Sequence, residues 1–277
     1  MKDTDVAKSS TLNPDEQNDD GPPTRVSRDG AVLTITLNRP HRMNAMNLPA
    51  WEALGSALQS AGQDPDVRAV ILTGAGGNFS TGADIEPRGS GHPTDRMRLV
   101  NSVAIALAEL PKPTIAKVEG YAVGAGWNIA LMCDFVVASS TAKFSQIFAK
   151  RGLSPDFGGS WLLPRLVGLQ QAKRLVMLAE TIGADEAAEL GLVTWVKDFD
   201  EVDTFVQGIA AQLAAGAPIA LAQSKALLEQ GASNTIREAL DGEARALAVN
   251  LATDAPEGFR ALMEKRTPDF TGQWRVP

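Results

Sequence analysis

The feature that most constrains this sequence is a regular alternation of short apolar strands with helical segments across its first half. The strand-like segments are rich in β-branched residues, and Pro or Gly residues separate them from the helix-like ones. In chain order they are strand Ala31–Leu37, helix Leu48–Gln63, strand Val67–Thr73, helix Asp95–Leu110, strand Thr114–Val118, helix Gly126–Met132 and strand Asp134–Ala138. This alternation predicts an α/β protein with βαβ units, right-handed crossovers and a buried parallel sheet.

The two ends of the chain follow different patterns. Beyond about residue 200 the strand patterns stop and apolar residues recur at helical spacing. There, Thr235 and Glu238 have the spacing of a capping box, and Asp254 with Glu257 resembles an acidic helix start. The first 24 residues carry two Lys against six Asp and Glu. We therefore expect a disordered acidic tail at 1–24, an α/β core at 25–200 and a helical region at 201–277.

Charge and composition exclude several classes of protein. The net charge of −7 and the pI of about 5.0 argue against a protein that coats nucleic acid. No apolar run approaches the roughly 20 residues of a membrane-spanning helix. The single cysteine, Cys133, excludes an intramolecular disulfide framework and fits a reducing compartment. We expect a soluble cytoplasmic protein with neither nucleic acid nor a membrane as its partner.

Several common kinds of catalytic site are missing from the sequence. It has only two histidines, His41 and His92, and neither an H-E-x-x-H nor a C-x-x-C motif, so a metal site is not expected. The stretches NFSTG (78–82) and GGSWL (158–162) each lack one glycine of the G-x-S-x-G motif. With so few histidines, a serine hydrolase is not favoured.

Two loops rich in small residues carry the strongest functional signal. They are Phe79–Ile85 (FSTGADI) and Gly120–Asn128 (GYAVGAGWN), and each follows a predicted strand. Taken singly, the first is explained equally by a plain turn and the second by tight strand–helix packing. Small residues also let a ligand approach the backbone, and N–H groups at a helix start favour negative charge. Two such N–H groups converging on one carbonyl oxygen would form an oxyanion hole.

The order and spacing of these loops and their flanking motifs resemble the crotonase superfamily, the enoyl-CoA hydratase/isomerase family. The resemblance covers about 250 residues, from near Val26 to near Arg275. The matching motifs are NRP (38–40) with NA (44–45), FSTGADI, KPTIA (112–116), GYAVGAG, CDFVVA (133–138), GLSPD (152–156), LPR (163–165) and EKR (264–266).

This resemblance implies a ClpP-like spiral of ββα units, followed by C-terminal helices that assemble a homotrimer or a dimer of trimers. It also implies acyl-CoA substrates, with coenzyme A as part of the substrate and no separate cofactor or metal. The backbone N–H groups of Ala83 and Ala125 would form the oxyanion hole that stabilises an enolate. The residues implied along coenzyme A are Arg42, Met43, Ala45, Asp84, Ile85 and, from a neighbouring subunit, Lys265. Arg42 and Lys265 are equally well explained as solvated surface charges.

The resemblance also separates the reaction types within the family. Hydratases use two glutamates to activate water, and this chain has Asn128 and Phe148 at those positions. Neither side chain can act as a general acid or base at neutral pH. Asp156 matches the catalytic aspartate of dienoyl-CoA isomerases and of ring-epoxide-phenylacetyl-CoA isomerases, and the latter resemble the chain most. From local sequence alone, Asp156 is equally well a turn residue or an N-cap ahead of a helix at Gly158–Leu166.

The leading interpretation is therefore an enoyl-CoA isomerase in which Asp156 shuttles the proton. Neighbouring aromatic side chains, among them Phe148, Phe157 and Trp161, would desolvate the carboxylate and raise its pKa. Trp127 and Trp161 would line the acyl pocket or belong to the core, and Asn128 would bind the substrate or satisfy a helix end. Two alternatives remain open: an enoyl-CoA hydratase, and a non-catalytic scaffold that binds acyl-CoA.

Overall fold

The computed structural model describes residues 21–84 and 92–274, so most of the predicted tail, and Ile85, lie outside the described residues. The strands are β1 Thr24–Asp29, β2 Val32–Leu37, β3 Ala69–Gly74, β4 Thr114–Val118, β5 Tyr121–Val123, β6 Phe135–Ser139, β7 Lys143–Ser145, β8 Thr181–Gly183 and β9 Trp195–Lys197. The helices are α1 Leu48–Gln63, α2 Pro93–Ala108, α3 Ala125–Met132, α4 Gly159–Leu178, α5 Ala184–Glu189, α6 Phe199–Ala214, α7 Pro218–Gly231, α8 Ile236–Ala252 and α9 Ala255–Glu264.

The main sheet has six strands in the order β1-β2-β3-β4-β6-β9. β1 and β2 form an antiparallel hairpin, and every later pair is parallel. The central strand β3 is buried from Ala69 to Thr73, which explains its continuous run of apolar residues. The predicted α/β architecture is confirmed, and the seven strands and helices predicted between residues 31 and 138 have bounds within about two residues of the prediction. The helix predicted at Gly158–Leu166 corresponds to α4, which continues to Leu178 across non-helical backbone angles at Gly168.

The core lies on both faces of this sheet. α1 buries Trp51, Leu54 and Leu58 on one face, where they join the larger apolar cluster. α6 covers the other face, with Val202 and Val206 in a second cluster that includes strand residues of β3, β4 and β6. Because parallel strands end at one edge of a sheet, the loops after β3 and β4 emerge side by side.

A second, smaller sheet lies next to those loops, in the order β5-β7-β8. Its strands have three residues each, too short for an alternating pattern to reveal them from sequence. β5 directly precedes α3, so the small sheet sets where the second Gly-rich loop ends.

The C-terminal region consists of α7, α8 and α9. The predicted capping box is confirmed: the Thr235 hydroxyl receives the Glu238 N–H, and the Glu238 carboxylate receives the Thr235 N–H. The predicted acidic helix start is confirmed, since Asp254 is the N-cap residue of α9 and Glu257 lies in its first turn, although the Asp254 side chain makes no capping hydrogen bond there. Its carboxylate instead accepts the N–H groups of Thr271 and Gly272, which ties the C-terminal segment back onto the helices.

Within the described residues no single helix is long and apolar enough to span a membrane. One bent pair, α6 with α7, meets the length and composition criteria together, with an angle of 104° between the two helices. α6 buries one face against the main sheet.

Candidate active site

The first loop runs as an extended segment held on both sides. Its Phe79 and Ser80 N–H groups donate to carbonyls beside β5, at 2.9 and 3.0 Å. Further along, Met46 N–H donates to the Gly82 carbonyl at 2.7 Å, and Asp84 N–H donates to the Met46 carbonyl at 3.0 Å. Successive backbone groups of an extended chain point to opposite sides, so the N–H of the intervening Ala83 points away from Met46. Ala83 is exposed.

The second loop ends where α3 begins, at Ala125. Gly124 takes a positive φ of 56° to make this entry, and its N–H donates to the Ser145 carbonyl at 2.8 Å. The first N–H groups of a helix have no partner within the helix. Among the described residues, no hydrogen bond satisfies the N–H of Ala125 or that of Ala83.

Glycines bring the two loops together. A Cβ atom on Gly82 would lie 3.1 Å from the Ala125 nitrogen and 2.7 Å from the Val123 carbonyl oxygen. A Cβ atom on Gly126 would lie 2.3 Å from the Ser80 carbonyl oxygen. Only residues without a side chain permit backbones to approach this closely. The two unpaired N–H groups therefore belong to adjoining backbone segments, an arrangement that can receive one developing oxyanion.

Asn44 supports the first loop, and sequence reasoning gave it no role. It lies in the left-handed region at φ 56°, where Asn is among the more tolerant residues. Its amide donates to the carbonyls of Ala75 and Asn78 at 2.8 and 2.7 Å and accepts the Arg39 N–H at 2.9 Å. Its own carbonyl accepts the Ser80 hydroxyl at 2.8 Å. The signal that could have found it is a lone Asn after an N-R-P turn.

The residues predicted along coenzyme A fall into two groups. Met43 is exposed, and Arg42 and Ala45 are half-buried on the same turn. Asp84 differs, because its carboxylate forms a buried ion pair with Arg39 at 2.8 Å. Its side chain faces the protein and holds the Ala83 loop against the turn, and the predicted position of Asp84 along coenzyme A stays a prediction.

Lys265 ends α9 in the C-terminal region. It is exposed, has a left-handed φ of 54°, and its N–H donates to the Leu262 carbonyl at 3.3 Å. Its predicted contact involves a neighbouring subunit and stays a prediction.

Asp156 lies in a sharp turn before α4. The next two residues both have positive φ, 46° at Phe157 and 77° at Gly158. Gly158, not Asp156, is the N-cap of α4, and no side chain caps that helix. The local alternative of an N-capping aspartate is therefore wrong. The Oδ1 atom of Asp156 is buried and has no hydrogen-bond partner among the described residues.

Burial changes the acidity of this carboxyl group. Removal from water raises the pKa of Asp156 to about 6, and its own backbone N–H opposes the shift. A carboxylate with this pKa is largely ionised at neutral pH and is a stronger base than an ordinary aspartate. Strongly shifted carboxyl groups in open clefts are characteristic of functional sites.

The aromatic residues predicted near this turn differ in how deeply they are buried. Phe157 is buried and stacks on Trp51, with 5.4 Å between the ring centroids. The Phe148 ring is nearly buried beside Gly124, whose Cβ position would lie 3.6 Å from the ring. Trp161 is 48% exposed, and the Arg165 guanidinium lies over its ring at 4.2 Å.

Trp127 and Asn128 take roles other than substrate contact. The Trp127 ring has no exposed surface and packs on Phe144, with 5.3 Å between centroids, so it belongs to the core and the pocket interpretation is wrong. The Asn128 amide is also fully buried. It donates to the Asp156 carbonyl at 2.9 Å and accepts from the Gln146 amide at 2.9 Å. We had expected Asn128 to bind the substrate or to satisfy a helix end. Its side chain instead supports the Asp156 turn.

The histidines and the cysteine lie outside this arrangement. His92 caps α2 by accepting the Thr94 N–H at 3.2 Å. Cys133 is buried, which raises the pKa of its thiol to about 12 and makes the thiolate inaccessible at neutral pH. No group of three or more potential metal ligands lies together in residues 21–84 and 92–274.

Comparisons with known proteins agree with this geometry. The family model described as "Enoyl-CoA hydratase/isomerase" matches residues 27–273. The chain is 38% identical to a 1,2-epoxyphenylacetyl-CoA isomerase of Escherichia coli K12 over 251 residues, which cover 87% of this chain and 95% of that protein. It is 37% identical to a short-chain-enoyl-CoA hydratase of Clostridium acetobutylicum, over 87% of this chain and 94% of that protein.

A solved structure shows the same fold. The crystal structure of an enoyl-CoA hydratase from Polaromonas sp. JS666 superposes with a TM-score of 0.85 at 35% identity, covering 89% of this chain and 99% of that one. The mixed α/β core with its C-terminal helices is the crotonase fold. The family match, the relatives and the structural likeness together show that this chain belongs to the enoyl-CoA hydratase/isomerase family.

Proposed function

We propose that this protein is an enoyl-CoA isomerase that moves a carbon–carbon double bond of the acyl chain into conjugation with the thioester. Asp156 is the proton shuttle. The observation that carries the proposal is the buried, unpaired Oδ1 atom of Asp156 and the raised pKa of that carboxyl group, about 6. Coenzyme A is part of the substrate, and the chemistry uses only protein groups.

The reaction begins with proton removal from a 3-enoyl-CoA. The Asp156 carboxylate takes a proton from C2, between the alkene and the thioester carbonyl. The electron pair moves onto the thioester oxygen and gives a dienolate, which accepts hydrogen bonds from the N–H groups of Ala83 and Ala125. The Asp156 carboxylic acid returns the same proton to C4, and the double bond then joins C2 and C3. No atom is gained or lost, which suits a site with one carboxyl group.

The positions of the two hydratase glutamates support isomerisation over hydration. Asn128 is fully buried, and its amide already bonds to the Asp156 carbonyl and to the Gln146 side chain. Phe148 presents an apolar ring near the start of α3. A hydratase needs an acid or base at these points to activate water, and neither residue supplies one.

The exposed aromatic Trp161 supports an acyl pocket that begins at α4. Its ring is about half-exposed, and the residue lies in the first turn of α4, five residues after Asp156. Large, rigid aromatic side chains provide contact area to apolar ligands at low entropic cost. We place the acyl group of the substrate along Trp161 and the thioester at the oxyanion hole.

Self-association forms part of the proposal. The C-terminal helices carry strongly exposed apolar side chains, a pattern that marks a protein–protein surface in a soluble chain. They include Leu228, Ile236, Leu262 and Met263, each at least 76% exposed. We propose a homotrimer or a dimer of trimers, which light scattering on the purified protein would test.

The decisive experiment offers the purified protein a 3-enoyl-CoA and a trans-2-enoyl-CoA, and follows absorbance of the conjugated thioester. With the 3-enoyl-CoA, we expect the absorbance of the conjugated thioester to increase. With the trans-2-enoyl-CoA, we expect this absorbance to decrease at a rate at least about 100-fold lower than that increase. Asp156→Asn keeps the shape of the side chain and removes the base, so it should abolish the gain. Asp203→Asn, at an exposed carboxylate 74% accessible on α6, is the matched control.

Two results would overturn the proposal. Efficient loss of the 2-enoyl absorbance would assign a hydratase. Tight binding of the acyl-CoA with no change in either substrate would assign a non-catalytic binding protein.

A further inference from the structure

A buried chain of amides connects the Asp156 turn to the small sheet. The Gln146 Nε2 atom donates to Asn128 Oδ1, and Asn128 Nδ2 donates to the Asp156 carbonyl oxygen, each at 2.9 Å. Gln146 and Asn128 both have no exposed surface. Gln146 follows β7 and Asn128 lies in α3, so the two amides come from separate elements. Asn128 bonds directly to the turn, and Gln146 bonds to Asn128.

We propose that Asn128 and Gln146 are positioning residues that fix the Asp156 turn relative to the oxyanion hole, without touching the substrate. This inference rests on the proposed function, because it assigns to these two amides the placing of the base. Asn128 lies three residues after Ala125, on the first turn of α3. One rigid helical turn therefore carries both the oxyanion N–H and the amide that holds the base.

The turn needs such support because its backbone is unfavourable. Phe157 is not glycine and yet has a φ of 46°, a conformation that is unfavourable for an L-residue. Two groups compensate: the Phe157 ring packs on Trp51, and the Asp156 carbonyl accepts both the Asn128 amide and the Gly159 N–H, the latter at 2.9 Å. The ring fixes one side of the turn and the amide fixes the other.

The packing around Asn128 leaves it no alternative position. A Cβ atom on Gly159 would lie 2.4 Å from Asn128 Nδ2 and 2.8 Å from its Oδ1. The glycine at the first position of α4 is thus required by the amide beside it, not by its own backbone angles. Adding one methyl group at position 159 would displace the Asn128 amide from the Asp156 carbonyl.

Three substitutions disturb the network at different points. Asn128→Ala removes both hydrogen bonds, Gly159→Ala displaces the amide, and Gln146→Met removes only the outer donor. Gln146→Met is the mildest of the three, because it keeps the side-chain length, removes a buried Oε1 atom that has no partner among the described residues, and leaves only the Asn128 Oδ1 atom without its donor. Gly208→Ala is the matched control, since a Cβ atom there meets nothing within 4 Å and Ala favours a helix.

We expect kcat of Asn128→Ala and Gly159→Ala to fall about 10- to 100-fold, with KM within about twofold, because a displaced base misses its target while binding is unchanged. Gln146→Met should lose less, about three- to tenfold. Gly208→Ala should match the wild-type protein. The pH profile of kcat/KM should move to lower pH in the first two variants, because a loosened turn admits water to the Asp156 carboxylate.

Folded Asn128→Ala and Gly159→Ala proteins with wild-type kcat and pH profile would overturn the proposal. A loss confined to KM would also overturn it, since that would make Asn128 a substrate contact. Activity that survives in Asp156→Asn would instead refute the proposed function. In that case, carbon NMR titration of the Asp156 carboxyl group in wild type and Gln146→Met still tests the positioning, because it needs no substrate; identical titration curves would refute it.

Discussion

Two carboxyl groups in this protein, those of Asp156 and Glu257, lie in opposite environments. Glu257 in α9 accepts two hydrogen bonds from the Arg266 guanidinium, at 2.6 and 3.2 Å, and the Asp269 N–H at 3.1 Å. These partners lower the pKa of Glu257 to about 2. Asp156 has an unpaired buried oxygen and a pKa raised to about 6.

The different hydrogen-bond partners and pKa values of the two carboxyl groups fit different roles. Glu257 holds the segment after α9 in place, and its charge is permanent at physiological pH. The Oδ1 atom of Asp156 has no hydrogen-bond partner among the described residues, and burial raises the pKa of the carboxyl group toward the range in which proton transfer is useful. Fully bonded carboxylates are structural, and an underbonded one in a cleft is available for chemistry.

The largest effect that separates the two residues is the loss of activity in Asp156→Asn. We expect isomerisation to fall at least about 100-fold, since the base is removed. The same variant should be more stable than wild type by about 1–2 kcal/mol at about pH 8, because it no longer buries a charge. Urea unfolding measures this gain. The stability gain should vanish at about pH 4, where the Asp156 carboxyl group of the folded wild-type protein is already protonated. A variant that is inactive and less stable would contradict the comparison.

Glu257→Gln should have the opposite effect. The variant breaks a hydrogen-bonded ion pair in which the Glu257 side chain is 6% and the Arg266 side chain 39% exposed, and it should lower the melting temperature by a few degrees. Isomerase activity below the unfolding transition should stay within about twofold of wild type, because Glu257 contacts no residue of the catalytic turn. Scanning calorimetry and the absorbance assay measure the two quantities. Lost activity in a folded Glu257→Gln protein would show that the C-terminal segment reaches the active site.

The pH dependence of the reaction should follow Asp156 alone. The base must be ionised, so kcat/KM should rise with pH and level off above about 6. An acid limb near the ordinary value of an aspartate would mean that the carboxyl is solvated in the working enzyme. The same titration in Gly208→Ala serves as the control, since that residue lies far from the turn on α6.

The smallest effect concerns acid stability. The lowered pKa of Glu257 contributes stability that is fully present above its ordinary pKa of 4.5 and is lost as pH falls toward about 2. Asp156 acts in reverse: its raised pKa makes the folded state less stable as pH rises from 3.8 to about 6. The unfolding free energy measured from acid to neutral pH should show both slopes, and each substitution should remove one of them.

The order of strands and helices could be predicted from the sequence better than the contacts between side chains. The β-branched run of β3 and the Pro-bounded β4 revealed the main sheet, and the motif spacing placed Asp156 and the two oxyanion loops. The side-chain partners could not be predicted, because they are distant in the sequence. Asn128 lies 18 residues before Gln146 and 28 residues before Asp156 along the chain. Burial, which makes Asn128 a support and Trp127 a core residue, follows only from the assembled structure.

Short and irregular elements were the other limit. β5, β7 and β8 have three residues each and show no alternation. The acidic pair at 254 and 257 fits a helix start by spacing, yet its partners are the returning segment after α9. A local pattern records the preference of a few residues, and tertiary contacts decide between structures that satisfy it equally.

The proposed oxyanion hole, built from main-chain N–H groups, has a consequence for genetic variation. No codon change at Ala83 or Ala125 deletes an N–H group, apart from a change to proline. The vulnerable codons are those of the glycines alongside, since any side chain on Gly126 would collide with the Ser80 carbonyl. In a saturation mutagenesis library, inactive clones should therefore concentrate at Gly82 and Gly126, while small residues at the two donor positions survive. An essential function can thus show its strictest sequence requirement at positions that take no part in the reaction.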